Sequence, residues 1–268
     1  MKNIKILLLI VLALPALSAL AQKLPGIQKQ SIRAPKNVKI DGKITEWGNM
    51  LQAYNHAIQA YYTVANDDKK IYLVIKSDKR NITNKIINGG VSFTIIKNGK
   101  KDVTDGPTIT YPVYSWQNHP SIKFIELDEL KDDEKDAAKK KDSLLTISNK
   151  NLEDKAKYIR VKGVKDVDTL ISIYNTNGIK ALSALDDKMN YVLELAIDLK
   201  VFNITATDLK TFTYNIKFNG IQDYVPGIDV QRDESGTITA INIISRIANN
   251  YSGVSNATDC WGTYTIKK

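Results

Sequence analysis

Two stretches of strict alternation constrain this chain more than any other feature. In Tyr191 to Leu199, one face carries Tyr191, Leu193, Leu195, Ile197 and Leu199, and the other carries Val192, Glu194, Ala196 and Asp198. In Thr211 to Phe218, Phe212, Tyr214, Ile216 and Phe218 alternate with Thr211, Thr213, Asn215 and Lys217. A helix would scatter these apolar sets around its axis, whereas a strand collects each on one side. An apolar sheet face needs a second layer to cover it, and two packed antiparallel sheets supply one. Seven further segments read as strands: Ala57–Ala65, Lys70–Lys76, Val91–Lys97, Thr108–Trp116, Thr169–Asn175, Thr237–Ile247 and Cys260–Ile266. Between them stand turn signals such as Asn66-Asp67-Asp68, Asn88-Gly89-Gly90, Asn98-Gly99, Asp105-Gly106-Pro107 and Asn177-Gly178. Many short strands at that spacing mean a sandwich or a barrel.

One region departs from the pattern. Leu127 to Lys157 is rich in Lys, Asp and Glu, contains Ala137-Ala138 and has few β-branched residues. It predicts a charged surface helix or a mobile insertion, with mixed charges facing water by default and a protein-binding arm as the alternative. At the N-terminus, Lys2 and Lys5 precede the apolar run Ile6 to Leu17, and Ala19-Leu20-Ala21 offers small residues for cleavage. That is the pattern of a secretory signal over residues 1–21, too short for a spanning helix, and it implies a periplasmic or extracellular location. Gln22 to Asn37 is polar, with Pro25, Gly26 and Pro35, and reads as a flexible leader that becomes ordered near Val38. The remainder, 38–268, is long enough for one β domain with an insertion.

Cys260 is the only cysteine, so no internal disulfide can form and packing must supply stability. The simplest role for it is a small buried apolar residue. The formal charge is +9, of which Lys2 and Lys5 account for two. Lysines spread along the chain give solubility and loose attraction to anionic surfaces, and no nucleic-acid motif accompanies them.

Several motifs occur in a telling order. Ile40-Asp41-Gly42 is followed by Glu46-Trp47, then by Tyr62 to Asp67 and Ile71-Tyr72-Leu73, then by Gly90 to Ile95. Glu194-Leu195-Ala196-Ile197 and Trp261 to Ile266 come later. Together they resemble the carbohydrate-binding family 9-like (DOMON-like) β-sandwiches, most densely from Val38 to Tyr114. The resemblance implies a jelly-roll or immunoglobulin-like sandwich that binds a polysaccharide or cell-surface glycan through stacked aromatic rings. It also allows a structural calcium, or, as in related DOMON domains, haem. The alternative is an envelope scaffold that meets a protein partner through the insertion at 127–157.

Sugar binding needs a flat aromatic face beside groups that hydrogen-bond ring hydroxyls. In Thr108 to Trp116, alternation puts Thr110, Pro112, Tyr114 and Trp116 on the more polar face, with Tyr114 and Trp116 roughly 7 Å apart. Gln117, Asn118 and His119 follow in a loop. Trp261 is the second candidate: if Cys260, Tyr264 and Ile266 point inward, it faces outward with Thr263 and Thr265, and the alternative is an inward tryptophan at a strand end. Trp47 is expected to anchor the core. Calcium would draw on Asp41, Asp67, Asp68 and Asp78, although turn chemistry explains each. Haem would draw on His56, His119, Met50 or Met189. Of the neighbouring carboxylates, Asp186-Asp187 reads as a turn pair and Glu194 with Asp198 as a solvated stripe on one strand face; no nucleophile elbow or zinc motif is visible, so the chain is read as non-catalytic, and no cofactor is expected.

Overall fold

The computed structural model describes residues 24–48, 51–97, 99–114, 118–130, 136–204, 211–220, 228–233, 235, 237–243 and 256–268. The secretory segment at 1–21 lies outside them. In chain order the strands are β1 (Ile32–Arg33), β2 (Ala53–Asn55), β3 (Ala60–Asn66), β4 (Lys70–Ser77), β5 (Val91–Ile96), β6 (Thr108–Val113), β7 (Tyr158–Lys162), β8 (Leu170–Ser172), β9 (Ile179–Leu185), β10 (Tyr191–Asp198), β11 (Thr211–Phe218), β12 (Ile228–Arg232), β13 (Ile238–Ile243) and β14 (Thr258–Thr265). Helices are α1 (Arg80–Gly89), α2 (Phe124–Glu129) and α3 (Ala137–Lys155).

Two six-stranded sheets form the layers of an all-β sandwich. The first runs β1-β3-β4-β10-β9 with β2 also on β3, and the second runs β14-β11-β5-β6-β7-β8; β12 and β13 make a separate hairpin. Pairing is antiparallel except between β1 and β3. The alternation in Thr211–Phe218 lands as predicted. Phe212, Tyr214, Ile216 and Phe218 enter the core with Phe93, Ile95 and Ile109 of their own sheet, facing Tyr62, Leu73, Leu193 and Leu195 of the other. The charged insertion contains helices rather than strands: α2 and α3, with Ser148 and Leu152 buried. Helix α1 lies outside the period-two reading. It buries Ile82, Ile86 and Ile87, spaced to share one helical face.

The first sheet is covered on both sides, which alternation alone did not anticipate. Its outer face bears Tyr72, Val74, Val192 and Ala196, and these pack under Ile44, Trp47 and Leu51, with Ile32, Val38 and Ile40 at the margin. The covering segment includes the stretch expected to be a free leader. It is tied to the sheet at Pro25 and Gly26, whose carbonyls accept from Tyr54 and Asn55, at Gln28, and through β1. The Gln28 side chain donates to the Val64 carbonyl at 2.8 Å and accepts the Val64 N–H at 2.7 Å, so an amide side chain stands in for a neighbouring strand.

Glu194 pins this cover down. Expected on a solvated stripe with Asp198, it is 0% exposed. Its carboxylate accepts the backbone N–H groups of Asp41 (3.1 Å) and Gly42 (2.9 Å) and the Trp47 indole N–H (3.3 Å). Trp47 is buried, as expected of a core anchor. Gly42 is required here: its φ is +77°, and a Cβ would lie 2.6 Å from the Ala184 Cβ. Asp198 is half-buried and paired with Lys70.

Burial pushes the Glu194 carboxyl up to about 7, against the pull of the Gly42, Asp41 and Trp47 donors. An unfolded glutamate ionises near 4.5. Between those two values the folded chain keeps a proton that the unfolded chain releases, so stability falls as pH rises and levels off above about 7. The whole step is about 3 kcal/mol. Glu194→Gln should remove that portion of the slope from urea-unfolding free energies measured between pH 4.5 and 7.5. An unchanged slope in the variant would mean that Glu194 does not titrate in this range.

Candidate functional site

The second sheet keeps an outward face that is polar from strand to strand. On β14, Cys260, Gly262 and Tyr264 are buried, as is Ile266 just beyond it, while Trp261 is half-buried and Thr263 and Thr265 are exposed. Trp261 therefore faces out with the threonines. Burial pushes the Cys260 thiol up to about 12, as suits a residue that serves as a small apolar filler. Gly262 sets how β14 docks. A Cβ there would lie 2.2 Å from the ring end of Tyr214. That ring is itself fixed, with its hydroxyl 3.1 Å from the Tyr62 hydroxyl across the core.

Cross-strand register then builds the site. Trp261 stands opposite Asn215, and Asp259 opposite Lys217. Thr94 of β5 flanks Asn215 on the other side. The loop before β6 brings Lys101, Asp102 and Val103 over the same spot, enclosing a groove of about 350 Å³ with Trp261, Asn215, Lys217 and Asp259 in its lining. Asp102 is anchored by the Thr104 backbone N–H (2.9 Å) and hydroxyl (2.7 Å), which hold its carboxyl below the usual range.

Asn215 is the unusual member. It is 1% exposed, and its Nδ2 donates to Asp259 Oδ2 at 2.7 Å and to the Cys260 carbonyl at 3.3 Å. Its Oδ1 has no hydrogen-bond partner. A buried acceptor left unpaired costs about 1–3 kcal/mol. The groove itself offers the Trp261 ring, two carboxylates (Asp102 and Asp259) and two amines (Lys101 and Lys217) within one concavity. Asn215 and Lys217 escaped the sequence reading as site residues. Alternation marked them as outward, but only the β11–β14 register shows that they adjoin Trp261.

The other predicted positions lie elsewhere. Trp116 and Gln117 fall outside the described residues, as do Met50 and the end of the predicted strand. Asn118 is exposed. Tyr114 does not share the polar face. Pairing of β6 with β7 slips by one residue between Thr110 and Val113, so Val113 stands opposite the exposed Tyr158. One extra residue inverts the parity that follows. Tyr114 accordingly packs against the main core with its hydroxyl buried and unpartnered. Burial pushes that hydroxyl's pKa up and lowers that of His119, whose ring centroid lies 5.4 Å away. His56 is exposed beside Tyr54, and Met189 is buried.

The four candidate aspartates are separate. Asp41 accepts the Lys43 N–H, as a turn residue does. Asp67 accepts from Tyr72 and from the Lys69 and Lys70 backbones, and Asp68 pairs with Arg33 at 2.7 Å. Asp78 is exposed. Among the described residues, no three of His, Cys, Asp and Glu gather at metal-ligand range, and no helix is long and apolar enough to cross a membrane. A second groove, of about 670 Å³, lies between the Asp41 turn and the β9–β10 hairpin, but two of its charges, Lys76 and Asp186, are already paired at 2.8 Å.

No family model and no curated protein matches the chain. Among solved structures, it is similar to a carbohydrate binding module family 9 protein from Caldicellulosiruptor kristjanssonii in complex with glucose. That likeness has 13% identity and a TM-score of 0.37, and covers 89% of this chain and 96% of the other. A putative carbohydrate-binding protein from Bacteroides uniformis is similar at 10% identity and a TM-score of 0.37, over 89% of this chain and 98% of its own.

The packing of Tyr214 on Gly262 makes a direct prediction. Gly262→Ala should lower unfolding stability by about 1–3 kcal/mol in urea titrations, the usual result of forcing an extra methyl into a filled core. A variant as stable as the parent would mean that β14 can shift away from β11 at little cost.

Proposed function

We propose that this chain is an exported, non-catalytic carbohydrate-binding module that holds a sugar ring against Trp261. The supporting observation is the groove in which the half-buried, outward-facing Trp261 stands beside Lys101, Asp102, Lys217 and Asp259. The axial C–H face of a pyranose packs on an indole, and the amines of Lys101 and Lys217 and the carboxylates of Asp102 and Asp259 can orient the remaining hydroxyls. The export signal read from residues 1–21 would put the module where glycans are met.

The test is affinity electrophoresis of the chain from Gln22 onward, against soluble plant and bacterial polysaccharides, with and without calcium. One glycan class should retard the protein. Trp261→Ala should weaken that binding at least about tenfold, the effect expected of a central tryptophan contact. Its melting temperature should stay close to that of the parent, since the side chain is only half-buried. Trp116→Ala tests the other position at which the sequence places a ring. If Trp116→Ala abolishes retardation and Trp261→Ala does not, the sugar sits elsewhere on the molecule.

A further inference from the structure

Beneath the end of α3, the interior of the sandwich holds a cluster of hydroxyl groups among its apolar side chains. Tyr111 enters the core from β6 and Tyr191 from β10. Ser183, on β9, shares the inward face of Ala181 and Leu185 and is 5% exposed. Register sets Ser183 opposite Leu193, and Tyr191 opposite Leu185. Tyr114 packs against the same core just beyond β6, with the His119 ring centroid 5.4 Å from its own. Helix α3 closes this side of the sandwich. Its Leu152 joins the core, as does Ala156 just after it, and the Asn149 side chain accepts the Leu185 N–H at 2.7 Å and donates to the Leu185 carbonyl at 3.0 Å.

These groups are neighbours, yet they do not bond one another. Burial pushes the Tyr111, Tyr114 and Tyr191 phenols up. Beyond burial, Tyr191 and Tyr111 each work against ionisation of Tyr114, Tyr111 works against that of Tyr191, and Ser183 eases it at Tyr111 and Tyr191. Mutual effects of this kind need short separations. Even so, the Tyr114 and Tyr191 hydroxyls, Ser183 Oγ and His119 Nδ1 are buried with no hydrogen-bond partner among the described residues. Tyr111 has one long contact, its hydroxyl donating to the Ala156 carbonyl at 3.4 Å. Four unpaired polar groups in one place would cost a sizeable share of a domain's net stability.

The chemistry of the cluster selects its guest. An ion would give up its hydration to a set of neutral phenols and a serine, with no opposite charge among them to replace it. Each hydroxyl both donates and accepts, so the matching guest is uncharged and does the same. Water is such a guest, and it is small enough for an interior that α3 closes; a buried water makes about three hydrogen bonds to groups of this kind. We propose that the interior beneath α3 is a water-binding site, in which ordered water bridges Ser183 Oγ to the Tyr191 hydroxyl and reaches the Tyr114 hydroxyl. The bound water then ties β9 and β10 of the first sheet to the chain that leaves β6 of the second, next to the slip in the β6–β7 pairing. The site is independent of the Trp261 groove.

Stability measurements and a crystal structure test it together. In urea titrations, Tyr191→Phe and Ser183→Ala should each raise the unfolding equilibrium constant roughly three- to tenfold, because each takes a partner from the bound water. The double variant should fall short of the product of the two effects, since both act on one water. A crystal structure of the protein should show a water within hydrogen-bond range of both Ser183 Oγ and the Tyr191 hydroxyl, lost or displaced in Tyr191→Phe. Unchanged or greater stability in either single variant would mean that the hydroxyl removed had no partner, and would overturn the site. Fully independent effects in the double variant would overturn it too. So would a direct Ser183–Tyr191 hydrogen bond in the crystal, or any occupant other than water.

Discussion

A buried carboxylate with no cation beside it organises much of this molecule. Glu194 sits on β10, a central strand of the first sheet, and its three hydrogen-bond donors all come from the N-terminal segment: the Asp41 and Gly42 backbones and the Trp47 indole. An isolated buried carboxylate would be costly, and these donors are what make it tolerable. In return the donors are held in one geometry. The Asp41–Gly42 turn is pulled onto the sheet, Trp47 is laid edge-on to Tyr72 at 6.1 Å, and a second apolar cluster closes over Val74, Val192 and Ala196.

That arrangement decides which surface is left for a ligand. With the first sheet covered inside by the core and outside by the N-terminal segment, its strands β3, β4 and β10 are buried almost along their whole length. The second sheet carries polar residues at its outward positions, including Ser92, Thr94, Thr110, Asn215 and Lys217. Placing a recognition surface there uses a rigid platform: β11, which bears Asn215 and Lys217, is hydrogen-bonded on both edges, by β5 and β14. Side chains on such a strand hold position better than side chains on a loop, which suits the binding groove proposed above.

Some of this was legible early. Alternation in Thr211–Phe218 identified both the core set and the outward set, because a strand places successive residues on opposite faces whatever its neighbours are. The same rule left the direction of Trp261 open, and the structure turns it outward with Cys260 inward. The rule failed at two instructive places. For Tyr114, a one-residue slip in the β6–β7 pairing reversed the parity beyond Thr110. For Glu194, the rule rightly grouped it with Val192 and Ala196, but that face was expected to meet water and is covered instead. The leader was misjudged for a related reason: its polar composition conceals a glutamine whose amide completes a strand edge at Val64.

Local order thus came from the sequence: strand periodicity, turn positions, and which way each side chain points along an unbroken strand. These follow from backbone geometry over a few residues. Tertiary structure alone decided the rest. It brought Gly42 to Glu194 across 152 positions and set Asn215 beside Trp261. Each depends on which strands pair and in what register, a choice made by core packing over the whole chain.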